Sequence, residues 1–209
     1  MGKPKTQPES PRPKGPLSVD AWCKACLGLI IREGVQAVAV EPMTRDLGVT
    51  KGSFYWHFQS RDALIDETLR RWEAFQTRDV MPRYADIQDP VQRMRILMFA
   101  AFEALEDGLV YAALGASSED PRVKPYLQRV SGFRVDFISR AFEALGLDGT
   151  EARRRALFAY STYVGYFHLL RALPDQVREV ADLSAYVHYL ADSLVPKGLG
   201  LADPPPPRA

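Results

Sequence analysis

Leu47-Gly48-Val49-Thr50-Lys51-Gly52-Ser53-Phe54-Tyr55-Trp56-His57-Phe58-Gln59-Ser60-Arg61-Asp62-Ala63-Leu64 is the stretch on which the reading of the fold turns. Gly48 reads as the stop of a short helix, because a left-handed residue after a helix costs glycine nothing. Thr50 then reads as the cap of the next helix, its hydroxyl placed to accept from an amide two or three residues on, with Lys51 to Phe58 forming about two turns. Phe54 and Phe58 lie four apart and share one face, which is the core face. The other faces carry Lys51, Ser53, Tyr55, Trp56 and His57, hydrogen-bond donors and flat aromatic area with no carboxylate among them. Such a surface suits a polyanion. Ser60 caps a further helix and places Asp62 in its first turn, where the helix dipole favours it.

Carried ungapped from Gly34 to Ile65, these residues resemble the DNA-binding region of the TetR family of transcriptional regulators. The block Gly48 to Gly52 and the run Tyr55-Trp56-His57-Phe58 carry the likeness. The resemblance implies a helix-turn-helix whose second helix enters the major groove with its N-terminal residues at base edges, and a dimer that presents two copies to a palindromic double-stranded DNA operator. Carried onto this chain, it puts Thr50, Tyr55, His57 and Arg61 on phosphate and Lys51, Ser53 and Trp56 at bases. Phosphate contacts set the register and base contacts set the sequence preference. The chain departs from the family's pattern at Ala39, where a capping Thr is usual, at Glu41, where an Arg is frequent, and at Thr44, where an Ala is usual. Pro42 falls in the first turn of that helix, where a missing amide proton is tolerated. A carboxylate repels DNA, so Glu41 either faces away or accepts from a cytosine amino group.

The 209 residues fit one medium domain, or a small head and a larger body, and a formal net charge of +1 argues against a general nucleic-acid coat. A specific binder with locally placed cations is not excluded by that balance. No apolar run reaches the length of a membrane span, and the N-terminus lacks a signal peptide's apolar core, so the protein is expected to be cytoplasmic and free of membrane. Cys23 and Cys26 make no disulfide framework, and no second Cys/His pair completes a metal site. They fall in a predicted helix over Val19 to Arg32, where the preferred reading is core packing and the competing one a thiol-based redox switch. No carboxylate pair, Ser/His/Asp set or phosphate-cradling loop appears, so neither catalysis nor a cofactor is expected.

The chain reads as all-α. Residues 1–17 are predicted to be a disordered basic arm, 18–65 the helix-turn-helix DNA-binding domain, 66–197 the ligand-binding and dimerisation domain, and 198–209 a Pro-rich tail. Ser18 starts the first helix and Gly34 ends it; Val38, Val40, Met43 and Leu47 fit the core of the short second helix. A longer helix from Ser60 carries Leu64, Ile65, Leu69, Trp72 and Phe75 at helical spacing and ends before Pro82. Asp89-Pro90 opens a helix to Leu105 that is apolar on more than one face, Gly108 separates it from a piece over Leu109 to Ala116, and Asp120-Pro121 opens the next. Thr150 is read as the cap of Glu151 to Leu173, ended by Pro174, and a last helix carries Leu183 to Leu194.

The helix with Tyr160, Tyr163, Tyr166 and Phe167 has aromatics on several faces, with Gly165 among them. The resemblance implies a homodimer formed by the last two long helices, and an effector pocket between the connector helix and the central helices. Its expected lining is Trp72, Met98, Phe99, Phe102, Glu103, Tyr111, Tyr163 and Phe167, with Glu103, Tyr111 or His168 as the polar anchor. The function expected is a ligand-responsive transcriptional repressor, released from its operator by a small, mainly apolar effector. A helical carrier that has lost DNA binding, which Ala39 and Glu41 make conceivable, stands as the alternative beside the redox switch.

Overall fold

The computed structural model describes residues 17–80, 82–180 and 182–194, so the basic arm before Leu17 and the Pro-rich tail lie outside the described residues. Among the described residues every regular element is helical and none is a strand. The first helix, α1 (Val19–Glu33), begins where the Ser18 hydroxyl accepts from the Ala21 amide at 3.2 Å and ends at Gly34, whose φ of 88° lies in the left-handed region. A 3-10 turn (Val35–Ala37) leads to α2 (Val40–Asp46) and α3 (Lys51–His57). The turn between them needs Gly48, at φ 66°.

The head closes on two rings. Phe54 is 0% exposed and meets Trp22 of α1 edge to face at 5.5 Å. Phe58, which leaves α3 in extended conformation, packs beside it with ring centroids 5.6 Å apart. Cys23 and Cys26 are buried free thiols in the same core. Burial pushes both pKa values up, that of Cys26 to about 11. A thiol sensor needs an accessible thiolate, and these positions oppose it on both counts.

From Ser60, whose hydroxyl accepts from the Ala63 amide at 3.1 Å, the connector α4 (Arg61–Ala74) runs into the body with Leu64, Ile65, Leu69 and Trp72 buried. The expected apolar stripe stops there. The chain continues as a π-helical segment (Phe75–Val80), and the widened turn leaves Phe75 40% exposed while Gln76 is fully buried. After the short α5 (Pro82–Ala85), Asp89 caps α6 (Pro90–Glu103), its carboxylate accepting from the Val91 amide at 2.9 Å.

The break after α6 is at Ala104, with φ −74° and ψ 64°, not at Gly108. Gly108 lies inside α7 (Leu105–Gly115), and a Cβ there would collide with the Phe167 ring. Glycine at this position permits close packing rather than ending a helix. Leu105, expected in the apolar face of the preceding helix, is exposed as the first residue of α7. The longest elements follow, α8 (Lys124–Ala144) and α9 (Gly149–Ala172), packed along each other. The cap of α9 is Asp148 rather than Thr150, its carboxylate accepting from the Thr150 and Glu151 amides at 2.9 and 3.0 Å. Pro174 does not simply stop the chain but opens α10 (Pro174–Val180), as its preset φ allows at a first helical position; α11 (Leu183–Leu194) then packs on α6 and α9.

Polar contacts join head to body along α4. Arg122, before α8, donates to Asp62 at 2.7 Å, and Gln36 donates to Asp120 at 2.8 Å. Further along, Tyr126 donates to Asp66 at 2.6 Å and Arg129 forks onto Glu73 at 2.5 and 2.9 Å. The connector is thus held by α8 along much of its length.

Candidate nucleic-acid interface and body cavity

The outward side of α3 follows from what its inward side buries. With Phe54 and Phe58 fixed in the core, helical geometry turns the residues between them away from it. Tyr55 is 59% and Trp56 83% exposed. An indole left so open makes no contribution to the core, and its area is available to a partner. Thr50 caps the helix by accepting from the Ser53 amide at 3.3 Å. Ser53 and His57 are half-buried, and the Ser53 hydroxyl and His57 Nε2 have no hydrogen-bond partner among the described residues. Both atoms are shielded from solvent, so the open side chains of this face are Lys51, Tyr55 and Trp56.

Two expected contacts have other commitments within the chain. Lys51 donates to Glu41 across the α2–α3 turn, and the pair lowers the carboxyl's pKa and raises the ammonium's. Glu41 thus neither faces away nor stands alone; it partly neutralises the one lysine of α3. The Arg61 guanidinium donates to the backbone carbonyls of Val38, of Val35 at 3.0 Å and of Gln36 at 3.4 Å. It pins the start of α4 to the 3-10 turn, and most of its donors are already in use. Ala39 at the start of α2 makes no side-chain cap, as its methyl dictates.

The body holds an apolar cavity of about 90 Å³ bounded by the π segment and by α5, α6, α7, α8, α9 and α11. Of the expected lining, it takes in Met98, Phe102 and Tyr163. Trp72, Tyr111 and Phe167 are instead buried in the core around it. Phe99 meets His188 edge to face at 5.0 Å outside the lining. Glu103 and His168 are exposed, so neither is an anchor.

The polar groups that do reach this cavity are Gln76, Tyr84, Asp107, Arg134, Tyr160 and Tyr163. Arg134 is only 5% exposed and donates through Nη2 to Gln76 Oε1 at 2.6 Å. Its guanidinium carbon lies 5.2 and 5.1 Å from the centroids of the Tyr111 and Tyr163 rings. Burial pushes the Tyr160 and Tyr163 phenols up, so both stay neutral. Burial also raises the Asp107 carboxyl, against the pull of Arg134 and Gln76. Sequence carried a signal for Arg134: it interrupts the stripe Leu127, Val130, Ile138 and Ala141 at the spacing of a core residue. Gln76 likewise follows Leu69 and Trp72 in the connector's buried face.

Comparison with known proteins follows these two features. The family model for bacterial regulatory proteins of the tetR family matches residues 24–68. The HTH-type transcriptional repressor KstR2 of Mycobacterium tuberculosis (strain ATCC 25618 / H37Rv) is 33% identical over 82 residues, which cover 37% of this chain and 39% of that relative. The match thus spans about two fifths of the curated relative's length. Among solved structures, a TetR-family regulator from Agrobacterium tumefaciens superposes with a TM-score of 0.68 at 19% identity, covering 86% of this chain and all of the other. The regulator FadR from Bacillus subtilis, in complex with stearoyl-CoA, superposes with a TM-score of 0.63 at 15% identity, covering 83% of this chain and 96% of that one. At such identities these two are likenesses of fold.

Proposed function

We propose that this chain, a member of the TetR family of bacterial regulatory proteins, is a ligand-responsive transcriptional repressor that leaves a palindromic operator when a small, mainly apolar effector fills the body. The observation that carries the DNA-binding part is the face of α3, where Tyr55 and Trp56 stand in solvent on a helix pinned by Phe54 and Phe58. Trp56, Lys51 and Ser53 reach base edges; Tyr55, His57 and Thr50 hold phosphate. Arg61 acts mainly as a strut for the start of α4. The likeness to a curated repressor over 82 residues supports the direction of regulation.

Two copies are needed to read two half-sites, and the last long helices offer the surface. Phe158, Thr162, Gly165 and Leu169 follow helical spacing along α9, with Phe158 and Leu169 exposed, and Tyr189 is exposed on α11. Nothing lies within 4 Å of a Cβ built on Gly165, leaving room for a second helix. Exposed apolar residues in such a row mark an association face, and an isologous four-helix contact suits it. Among the described residues no helix is long and apolar enough to cross a membrane, which fits a regulator acting on DNA in the cytoplasm.

Release follows if the cavity and the connector are coupled. The cavity touches the π segment that ends α4, while Arg61 at the start of α4 holds the 3-10 turn that leads into α2 and α3. A tenfold to hundredfold change in operator affinity needs only about 1–3 kcal/mol of coupling. The test is fluorescence anisotropy with the DNA upstream of the protein's own gene, over a salt series. Saturable binding is expected, with Tyr55→Phe weakening it at every salt concentration while the salt slope stays the same, because a neutral hydroxyl releases no counterion. A Tyr55→Phe protein with unchanged affinity contradicts the phosphate assignment. No binding to DNA at low salt favours the carrier alternative, which the Lys51–Glu41 pair and uncapped Ala39 support.

A further inference from the structure

We infer that the effector is a small apolar acid whose carboxylate pairs with the buried guanidinium of Arg134. This rests on the effector reading above and narrows it to a chemical class. A guanidinium stays charged at any physiological pH, and taking it out of water is costly unless an anion and a full set of acceptors receive it. Arg134 has an incomplete set. Gln76 and the Tyr163 hydroxyl supply neutral acceptors, the Tyr111 and Tyr163 rings supply cation–π contact, and Nε has no hydrogen-bond partner. Arg134 forms no ion pair among the described residues, although its charge acts on the Asp107 carboxyl, which burial raises.

The rest of the cavity states the remainder of the ligand. Met94, Leu97, Met98, Ile138 and Leu190 present apolar surface, so the body of the molecule is hydrocarbon or aryl. A single buried cation balances one negative charge, which suits a carboxylate and leaves the second charge of a phosphate monoester dianion uncompensated. The volume of about 90 Å³ limits the closed site to a short chain or one ring, and the two methionines are the side chains that yield most readily to a longer one.

Signal transfer follows from the same bond. Gln76 belongs to the π segment at the far end of the connector, and its contact with Arg134 spans 58 residues of sequence. A carboxylate drawn to Arg134 competes with Gln76 Oε1 for the guanidinium. Losing that acceptor leaves the buried Gln76 amide without its tie to α8, and the π segment free to rewind. The end of α4 then moves relative to α8, and the head with it.

The experiment is calorimetric titration of the full chain with three matched series: 4-phenylbutyrate and octanoate, their primary amides, and the corresponding amines. At least one acid is expected to bind once per subunit, tenfold or more tighter than its amide and its amine. Arg134→Met should erase that preference and Arg134→Lys restore part of it. Asp107→Asn, which removes a neighbouring acid without touching the cation, should tighten the acid severalfold and leave the amide unchanged. Gln76→Leu should keep acid binding within a few-fold and abolish the acid's effect on DNA.

An amide or amine that binds as tightly as its acid overturns the inference. So does an acid preference that survives Arg134→Met, or failure of both acids to bind the wild-type protein. If Arg134→Met does not fold, an acid affinity unmoved by Asp107→Asn overturns it instead. An acid response on DNA that persists in Gln76→Leu overturns the relay. DNA release by the amides alone sinks this inference and spares the repressor reading; Arg134-dependent acid binding by a protein that never binds DNA does the reverse.

Discussion

Head and body solve opposite problems with the same residue types. In the head, aromatic rings are divided between a dry interior, Trp22, Phe54 and Phe58, and an open exterior, Tyr55 and Trp56, while the cation Lys51 sits in solvent beside Glu41. In the body, tyrosines gather inside, around an arginine that is itself buried without a carboxylate in contact. An exposed ring and an exposed charge cost the fold little and are available for recognition. A buried charge is expensive and stays so until something complements it. The head therefore carries its charge and its polar-edged rings on the outside of a packed interior, whereas the body carries an under-complemented charge inside. That contrast is what the proposed DNA reader coupled to a small-molecule site requires.

The contrast breaks most visibly if the head's interior is opened. Phe54→Ala removes a fully buried ring and should cost roughly 3–5 kcal/mol, read as loss of cooperative melting in circular dichroism; a stability change under about 1 kcal/mol would mean the head does not depend on this ring. In the body, Gly108→Ala forces a methyl into Phe167 and should destabilise by about 1–3 kcal/mol in thermal denaturation. No loss there would show that α7 and α9 are less tightly fitted than their contact indicates.

Three further substitutions act where the regions meet or face outward. Arg122 holds the Asp120 carboxyl at a pKa of about 2, below its ordinary value near 4, by hydrogen bonding and charge. The stabilisation is therefore present above about pH 4 and is lost as pH falls towards about 2. Arg122→Ala should lower stability by about 1–2 kcal/mol at neutral pH and flatten the acid limb of a stability–pH curve; an unchanged limb would remove Asp120 from the head–body seam. Trp56→Ala should leave stability within about 0.5 kcal/mol while weakening DNA binding at least tenfold, and a parallel loss of both would place the indole in the fold. The smallest effect is expected from Glu41→Gln, which releases Lys51 from its pair: DNA affinity at low salt should rise a few-fold with a salt slope steeper by about one.

What the sequence determined by itself was everything governed by neighbours along the chain. Ser18, Thr50 and Ser60 accept from amides three residues on, Gly34 and Gly48 take the left-handed conformation that ends or turns a helix, and the four-residue spacing of Phe54 and Phe58 marks the side of α3 that is buried. These are local choices, and each has a short-range physical cause. The cap of α9 was misplaced by two residues for the same reason in reverse: both Asp148 and Thr150 are competent, and only the backbone decides.

Tertiary structure alone decided the contents of the cavity. Spacing puts Gln76 and Arg134 on buried faces, but only the packing of the π segment against α8 brings the two together across 58 residues of sequence. Trp72, Tyr111 and Phe167 look equally eligible from spacing, yet the crossing of α7, α8 and α9 turns them into wall-to-wall core and presents Met98, Phe102 and Tyr163 instead. Periodicity says which face of a helix is buried; only the angle and depth at which helices cross say which buried residue borders empty space.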